Sequence, residues 1–309
     1  MKHHFGDLLD RTDDYWTTIP NRERFAFIAD FEIKNKVEVK ILTISKTQSN
    51  AHWEQIFQCP NLEELTLHDP SKEQVQRIGE LTNLKRLRVS FFRATDIEFI
   101  GDLHNLEELI LEYVSGFSDL TPLLRLPKLK SLHFENLRRV SSFDGLIGLH
   151  SLRYLHIDGT IDWFQPIENF EFLKGLQNLE VFSLGFVINK SEYPALLPIL
   201  HLNKLKKIRI GLSTFTTKEY AFIEVAKPDI EKPNIEGNSW DKYVCWEWEN
   251  TIEFLGKRAG SVNKNNPRLK ERCQEFRATF EQMKIEARTI VKSYCRQHGF
   301  VASGADVSY

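Results

Sequence analysis

Asp119-Leu120-Thr121-Pro122-Leu123-Leu124-Arg125-Leu126-Pro127-Lys128-Leu129-Lys130-Ser131-Leu132 carries the pattern on which most of the chain is built. Leu129 and Leu132, with Phe134 two residues on, form one copy of an L-x-x-L-x-L motif in which other aliphatics or Phe stand for Leu. Upstream, the motif occurs at Val39, Leu42 and Ile44; at Leu62, Leu65 and Leu67; at Leu84, Leu87 and Val89; and at Leu106, Leu109 and Leu111. Downstream it returns at Leu152, Leu155 and Ile157; at Leu179, Phe182 and Leu184; and at Leu205, Ile208 and Ile210. Successive copies start 23, 22, 22, 23, 23, 27 and 26 residues apart. Chance does not produce that spacing, and a fixed period of this length marks a repeat architecture.

The fourth and sixth positions of each copy alternate along the chain, so they face the same side of a short strand. One such strand cannot bury that face alone. Stacking the copies as parallel strands ~4.8 Å apart merges the apolar positions into a continuous core. Eight strands predict a sheet roughly 35 Å long. Between strands the chain returns through apolar positions of its own: Ile97, Ile100 and Leu103; Leu120, Leu123 and Leu126; Phe143, Leu146 and Leu149. Pro122, two residues after Leu120, favours a short 3₁₀ turn there over a full helix. The two long repeats have room for an α-helical turn or two within Gln165–Gly175.

Residues 39–227 resemble leucine-rich-repeat proteins, in particular the class with repeats of about 22 residues found in internalins and in the phosphatase-regulating SDS22-like proteins. The stretch Asp119 to Leu132 is close to the internalin type of repeat. The resemblance implies an α/β solenoid: a right-handed superhelix with a parallel sheet on its concave face. It implies a binding role without naming a ligand, because one fold hosts many functions. One departure stands out. The family places Asn eight residues after the first Leu, where its amide bonds to the next turn. Here those positions hold Pro70, Phe92, Val114, Leu137, Thr160, Val187 and Ser213. Stacked apolar side chains at Phe92, Val114 and Leu137 are the expected replacement.

The flanks read as caps, which a solenoid needs to cover its terminal core. Residues 1–38 form the expected N-terminal cap, with a helix over Asn21 to Phe31 carrying Phe25, Phe27, Ile28 and Phe31. Residues 39–227 are the solenoid, and 228–239, with two prolines and a glycine, a linker. Residues 240–309 form a helical C-terminal region with a flexible tail. Trp240, Trp246 and Trp248 precede a short helix expected near Glu247–Lys257, and Asn266-Pro267 opens a long one. In that long helix Leu269, Cys273, Phe276, Phe280, Met283, Ala287, Ile290 and Tyr294 make a heptad-spaced seam. Either the seam caps its own chain, which is then a monomer, or it pairs with a second copy through 267–297. The uneven side chains favour the cap.

Lys and Arg number 41 against 43 Asp and Glu, a formal charge of −2 that lacks the basic excess of nucleic-acid binders. Residues Met1 to Thr17 hold no apolar run of signal-peptide length, and no window approaches the ~18 apolar residues of a membrane span. The four scattered cysteines lack any paired spacing and read as reduced thiols. These features predict a cytoplasmic protein, with export by a route needing no N-terminal signal as the alternative. Motifs for metal, phosphate or nucleophilic chemistry are missing, so neither a cofactor, a metal nor catalysis is expected.

The third, fifth and seventh positions of each repeat project from the open concave face. Glu64, Arg86 and Glu108 alternate in sign there and can pair across strands. Arg86, Arg88, Glu112, His133, Glu135, Tyr154, His156 and Asp158 are the candidate protein-binding residues. Tyr and Arg are enriched at binding hot spots, and an acid-rimmed aromatic and imidazole patch suits a basic partner segment. The sequence therefore predicts a non-enzymatic scaffold, adaptor or regulator. The rival is an effector or toxin-like protein whose repeats target an activity in 240–309.

Overall fold

The computed structural model describes residues 2–4, 9–12, 15–18, 25–29, 31–45, 50–231 and 245–299. Four short strands come first: β1 (Lys2–His4), β2 (Leu9–Thr12), β3 (Tyr15–Thr18) and β4 (Phe25–Ile28). The repeats supply β5 (Ile41–Ser45), β6 (Glu64–His68), β7 (Arg86–Ser90), β8 (Glu108–Glu112), β9 (Ser131–Glu135) and β10 (Tyr154–Asp158). Two longer repeats add β11 (Gln165–Ile167), β12 (Val181–Leu184), β13 (Val187–Asn189) and β14 (Lys207–Ile210). All eight motif strands pair parallel in one sheet, in the order β5-β6-β7-β8-β9-β10-β12-β14. The register places Leu65, Leu87, Leu109, Leu132, Leu155, Phe182 and Ile208 rung upon rung, all buried. Beneath β9 to β14 the core thickens into a run of rings, Phe134, Phe143, Phe172, Phe170 and Phe182, with centroids 5.6–6.4 Å apart.

The convex side closes with short 3₁₀ turns, among them Thr121–Arg125, which holds Pro122. The return between β6 and β7 is an exception. There α1 (Lys72–Arg77) begins with a capping box in which Ser71 and Gln74 satisfy each other's backbone N–H. The Gln165–Gly175 stretch holds no α-helical turn. Its first part is β11, which pairs parallel with β13, and Glu171–Gly175 is another 3₁₀ turn.

At the bend that follows each strand, Phe92, Val114 and Leu137 are buried in the core. The residue just before each takes a left-handed backbone: Asp69, Phe91, Tyr113 and Asn136 have φ of 47°, 56°, 52° and 55°. Their N–H groups donate to the carbonyls of Ser90, Glu112, Glu135 and Asp158 at 2.8–3.0 Å, so the ladder runs one rung past the strands. That rung satisfies backbone which the family's asparagine would otherwise bond. Behind β9 and β10 a buried glutamine takes the role. Gln165 Oε1 accepts the Leu137 N–H at 2.9 Å, and its Nε2 donates to the Val140 carbonyl at 2.6 Å. On the opposite lip, Asn61, Asn105 and Asn178 donate their amides to carbonyls one repeat back, at Val37, Thr82 and His150.

Both flanks depart from expectation. No helix spans Asn21 to Phe31: Asn21 lies outside the described residues, and Phe25–Ile28 is the strand β4. It pairs parallel with β5, with Phe27 opposite Leu42, and β1 adds antiparallel beyond it. The reason is the open edge of β5. Phe25 and Phe27 alternate with strand period, and pairing them satisfies an edge that a helix would leave bare.

At the other end Glu247–Lys257 is not helical. Residues Cys245–Glu247 (β15), Thr251–Phe254 (β16) and Ser261–Asn263 (β17) form an antiparallel meander. Two helices follow the last repeat, α2 (Thr217–Ala226) and α3 (Leu269–His298). Much of the α3 seam packs within the chain: Phe280 and Ala287 join the main core with Ala221 and Phe222 of α2, Phe276, Met283 and Ile290 pack against it, and Val291 and Cys295, outside the expected seam, are buried there too. Phe276 stacks on Phe254 at 4.5 Å, Lys284 reaches Glu224 at 3.1 Å, and Tyr294 bonds His201 at 2.9 Å. Trp248 is 49% exposed; Trp240 and the Trp246 side chain lie outside the described residues.

Candidate functional site

On the concave face, parallel in-register pairing turns the third, fifth and seventh positions into three rows of side chains. The first row carries its own counter-charge at its N-terminal end. Arg86 lies between Glu64, at 2.6 Å, and Glu108, at 2.8 Å. The second row passes through Arg88, Ile110, His133 and His156. Ile110 is fully buried although it points away from the main core, and Tyr154 of the first row packs on it. His133 and His156 stack face to face, with centroids 4.4 Å apart and planes 7° from parallel.

His133 is the unusual group. It is only 7% exposed, and neither of its ring nitrogens has a hydrogen-bond partner among the described residues. Burial, with the neighbouring His156 and Arg88, holds its pKa well below the ordinary imidazole value, so it is neutral at physiological pH. A neutral imidazole carries one donor and one acceptor, and burying both without partners costs about 1–3 kcal/mol for each group.

Glu112, Glu135 and Asp158 follow one another on β8, β9 and β10 as the third row. Arg88 reaches Glu112 with Nε at 2.9 Å and Nη2 at 2.7 Å. His156 Nε2 approaches Asp158 at 3.4 Å. Glu135, in the middle, is pushed up to about 7 by burial and by the carboxylates on either side, against the opposing pull of the Tyr113 hydroxyl and Arg88. Gly185 leaves the room that Asp158 occupies, since a Cβ there would lie 1.9 Å from Asp158 Oδ1. That same oxygen accepts the Phe186 N–H at 2.6 Å.

The structure therefore brings Arg88, Glu112, His133, Glu135, Tyr154, His156 and Asp158 into one patch, while Arg86 belongs to the ion pairs beside it. Of the lip above the third row, the sequence offered only the Trp163-Phe164 loop, as an alternative site; Phe91, Tyr113 and Phe186 were missed. There Phe91 and Tyr113 stack at 4.7 Å, and Phe164 and Phe186 meet edge to face at 5.6 Å. Phe91, Tyr113 and Phe186 each follow the seventh position directly, so the column was readable once that bend was known to face outward.

The opposite lip is also polar, but its charges pair: Lys130 with Glu107 at 2.8 Å, and Lys206 with Glu180 at 2.7 Å. Among the described residues, no helix is long and apolar enough to cross a membrane, and no three His, Cys, Asp or Glu side chains group to hold a metal.

No family model and no curated protein matches the chain. Similar solved structures include a chain of the Toll–Spatzle complex from Drosophila, at 15% identity and a TM-score of 0.45. The similarity covers 58% of this chain and 24% of that one. Two internalins from Listeria monocytogenes also align. InlF does so at 16% identity and a TM-score of 0.38, over 63% of this chain and 65% of its own. Internalin C2 aligns at 20% identity and a TM-score of 0.38, over 54% and 67%. This chain thus spans about a quarter of the first and about two-thirds of the internalins. On its own repeat, parallel ladder and exposed inner sheet, the chain is a leucine-rich-repeat solenoid.

Proposed function

We propose that the chain is a non-catalytic protein-binding module that takes its partner on the concave face, centred on His133, Tyr154 and His156 with Glu112, Glu135 and Asp158. His133 carries the reading. A buried imidazole with both nitrogens unpartnered among the described residues is a stability cost that these residues do not recover, and it lies on the concave face of the sheet, which no helix among the described residues covers. A partner supplying an acceptor and a donor would satisfy it. Tyr154 beside it is half-buried on an apolar floor, the setting in which aromatic side chains act as binding anchors. The acidic third row favours a partner with basic groups.

Residues 245–299 fit a structural part in this reading, because their side chains close the core at the last repeat. The test is affinity capture on the full chain beside a Tyr154→Ala/His156→Ala variant, each protein quantified. Partners should be lost from the variant while its melting temperature stays close to the parent's. Retention of the same partners at full affinity would move the site off this face.

A further inference from the structure

The acidic row is bracketed by the two aromatic pairs of the lip. Phe91 and Tyr113 are 50% and 36% exposed on one side, and Phe164 and Phe186 are 44% and 41% exposed on the other. Each bracket is tied to the row it flanks. The Tyr113 hydroxyl bonds to Glu135, and the Phe186 N–H donates to Asp158. Phe91 and Tyr113 hold left-handed backbone, which Asn or Gly adopts with far less strain, and the next repeat does use Asn136 there. Two exposed rings in strained positions are unfavourable for folding alone. His133, next to Glu135 on the same face of β9, adds an independent sign of a missing ligand group.

We infer that this lip binds an extended segment of the partner protein in which one Arg or Lys stands between two apolar residues. The basic side chain enters among Glu112, Glu135 and Asp158, and the apolar residues rest on the two aromatic brackets. The inference builds on the concave-face reading and narrows it to a linear motif. Charge selects this occupant: among the described residues, three carboxylates against the single Arg88 leave the row acidic, so it repels phosphate groups and acidic surfaces and attracts a cation, which the flanking rings also favour. Geometry sets the spacing. Tyr113 follows β8 and Phe186 follows β12, three strand steps apart, or roughly 14 Å. An extended chain rises about 3.3 Å per residue, so the two apolar residues stand about four positions apart.

The experiment pans a phage-displayed library of random dodecapeptides on the full chain, then measures the selected peptides by calorimetry. The expected peptides share a basic residue flanked by apolar ones at that spacing. Their affinity should fall about tenfold or more on each of Tyr113→Ala, Phe186→Ala and Glu135→Gln, and stay within about twofold on Lys128→Ala of the opposite lip. Peptides without a basic residue, equal binding to the lip variants, or no enrichment at all would overturn the inference. If captured proteins are lost on Tyr154→Ala/His156→Ala but not on the lip variants, the concave-face reading stands and the linear motif does not.

Discussion

The first and third rows of the inner sheet each set a charged side chain between two carboxylates on neighbouring strands and reach different electrostatic states. In the first, the Arg86 guanidinium lies between the carboxylates of Glu64 and Glu108. In the third, the Glu135 carboxylate lies between Glu112 and Asp158. Opposite charges directly across a parallel pair stabilise it slightly, and like charges destabilise it by a similar amount. The first row thus carries a cation between its two carboxylates, while in the third the only cation among the described residues is Arg88, which reaches Glu112 from the second row and leaves Glu135 beside two acidic neighbours. The difference is local: both trios stand on the same ladder of apolar rungs and share β8, and the middle side chain is basic in one and acidic in the other.

The largest expected effect removes what the rows share. Leu109→Ala or Leu132→Ala should destabilise the protein by about 2–5 kcal/mol, because each deletes a fully enclosed side chain from a core with little freedom to collapse. Urea unfolding measures it. A loss well under 1 kcal/mol would mean that the rungs do not carry the sheet.

The next separates the rows by their backing. Gln165→Leu should cost about 1–3 kcal/mol, since it strips partners from the buried Leu137 N–H and Val140 carbonyl. Amide exchange should then quicken around Leu137 to Val140, behind the third row, while the bends at Phe91 and Tyr113 stay protected. Uniform acceleration along the solenoid would show that Gln165 serves no local role.

A smaller effect compares the two central side chains directly. Arg86→Gln should destabilise by about 1–2 kcal/mol, a figure discounted for the partial exposure of Arg86, because Glu64 and Glu108 lose their shared cation. Glu135→Gln should instead change how stability depends on pH. Burial, then the facing Glu112 and Asp158, raise Glu135 from the ordinary 4.5 to about 7, against Tyr113 and Arg88, which also face it and pull it down. The folded state then binds more protons than the unfolded state between those values. Its contribution is complete below pH 4.5 and is lost as pH rises to about 7. The variant should flatten that decline in part, because Glu219, also pushed up to about 7 by burial, still titrates in the same window. An unchanged slope in thermal melts from pH 4.5 to 8 would contradict the strain assigned to the third row.

Much of this was legible in the residues. The recurring motif located the eight parallel strands from β5 to β14 of the main sheet, though not β11 or β13, and the sign alternation of Glu64, Arg86 and Glu108 announced their pairing. The lip was not legible, because its outward position depends on left-handed backbone at Phe91 and Tyr113, which no side-chain pattern encodes. His133 was visible as a concave imidazole, but its missing partners depend on what seven neighbouring repeats place around it. At the N-terminus, Phe25, Phe27, Ile28 and Phe31 fit both a helical and a strand period. The unpaired edge of β5 decided between them, and that edge lies in another part of the chain. The meander at 245–263 was missed for a related reason. Short alternating segments such as Thr251–Phe254 gain their strand character from neighbours and from the turns at Gly256 and Gly260.

The central claim is that the patch around His133, and not the Arg86 ion pairs beside it, holds the partner. Its most direct test is the dissociation constant of a captured partner for the parent, for Tyr154→Ala/His156→Ala and for Arg86→Ala, with melting temperatures recorded alongside. The double variant should bind about thirtyfold or more weakly, equivalent to ~2 kcal/mol, at a nearly unchanged melting temperature. Arg86→Ala should keep most of its affinity despite a lower melting temperature. Full affinity in the double variant, or a greater loss in Arg86→Ala, would contradict the account.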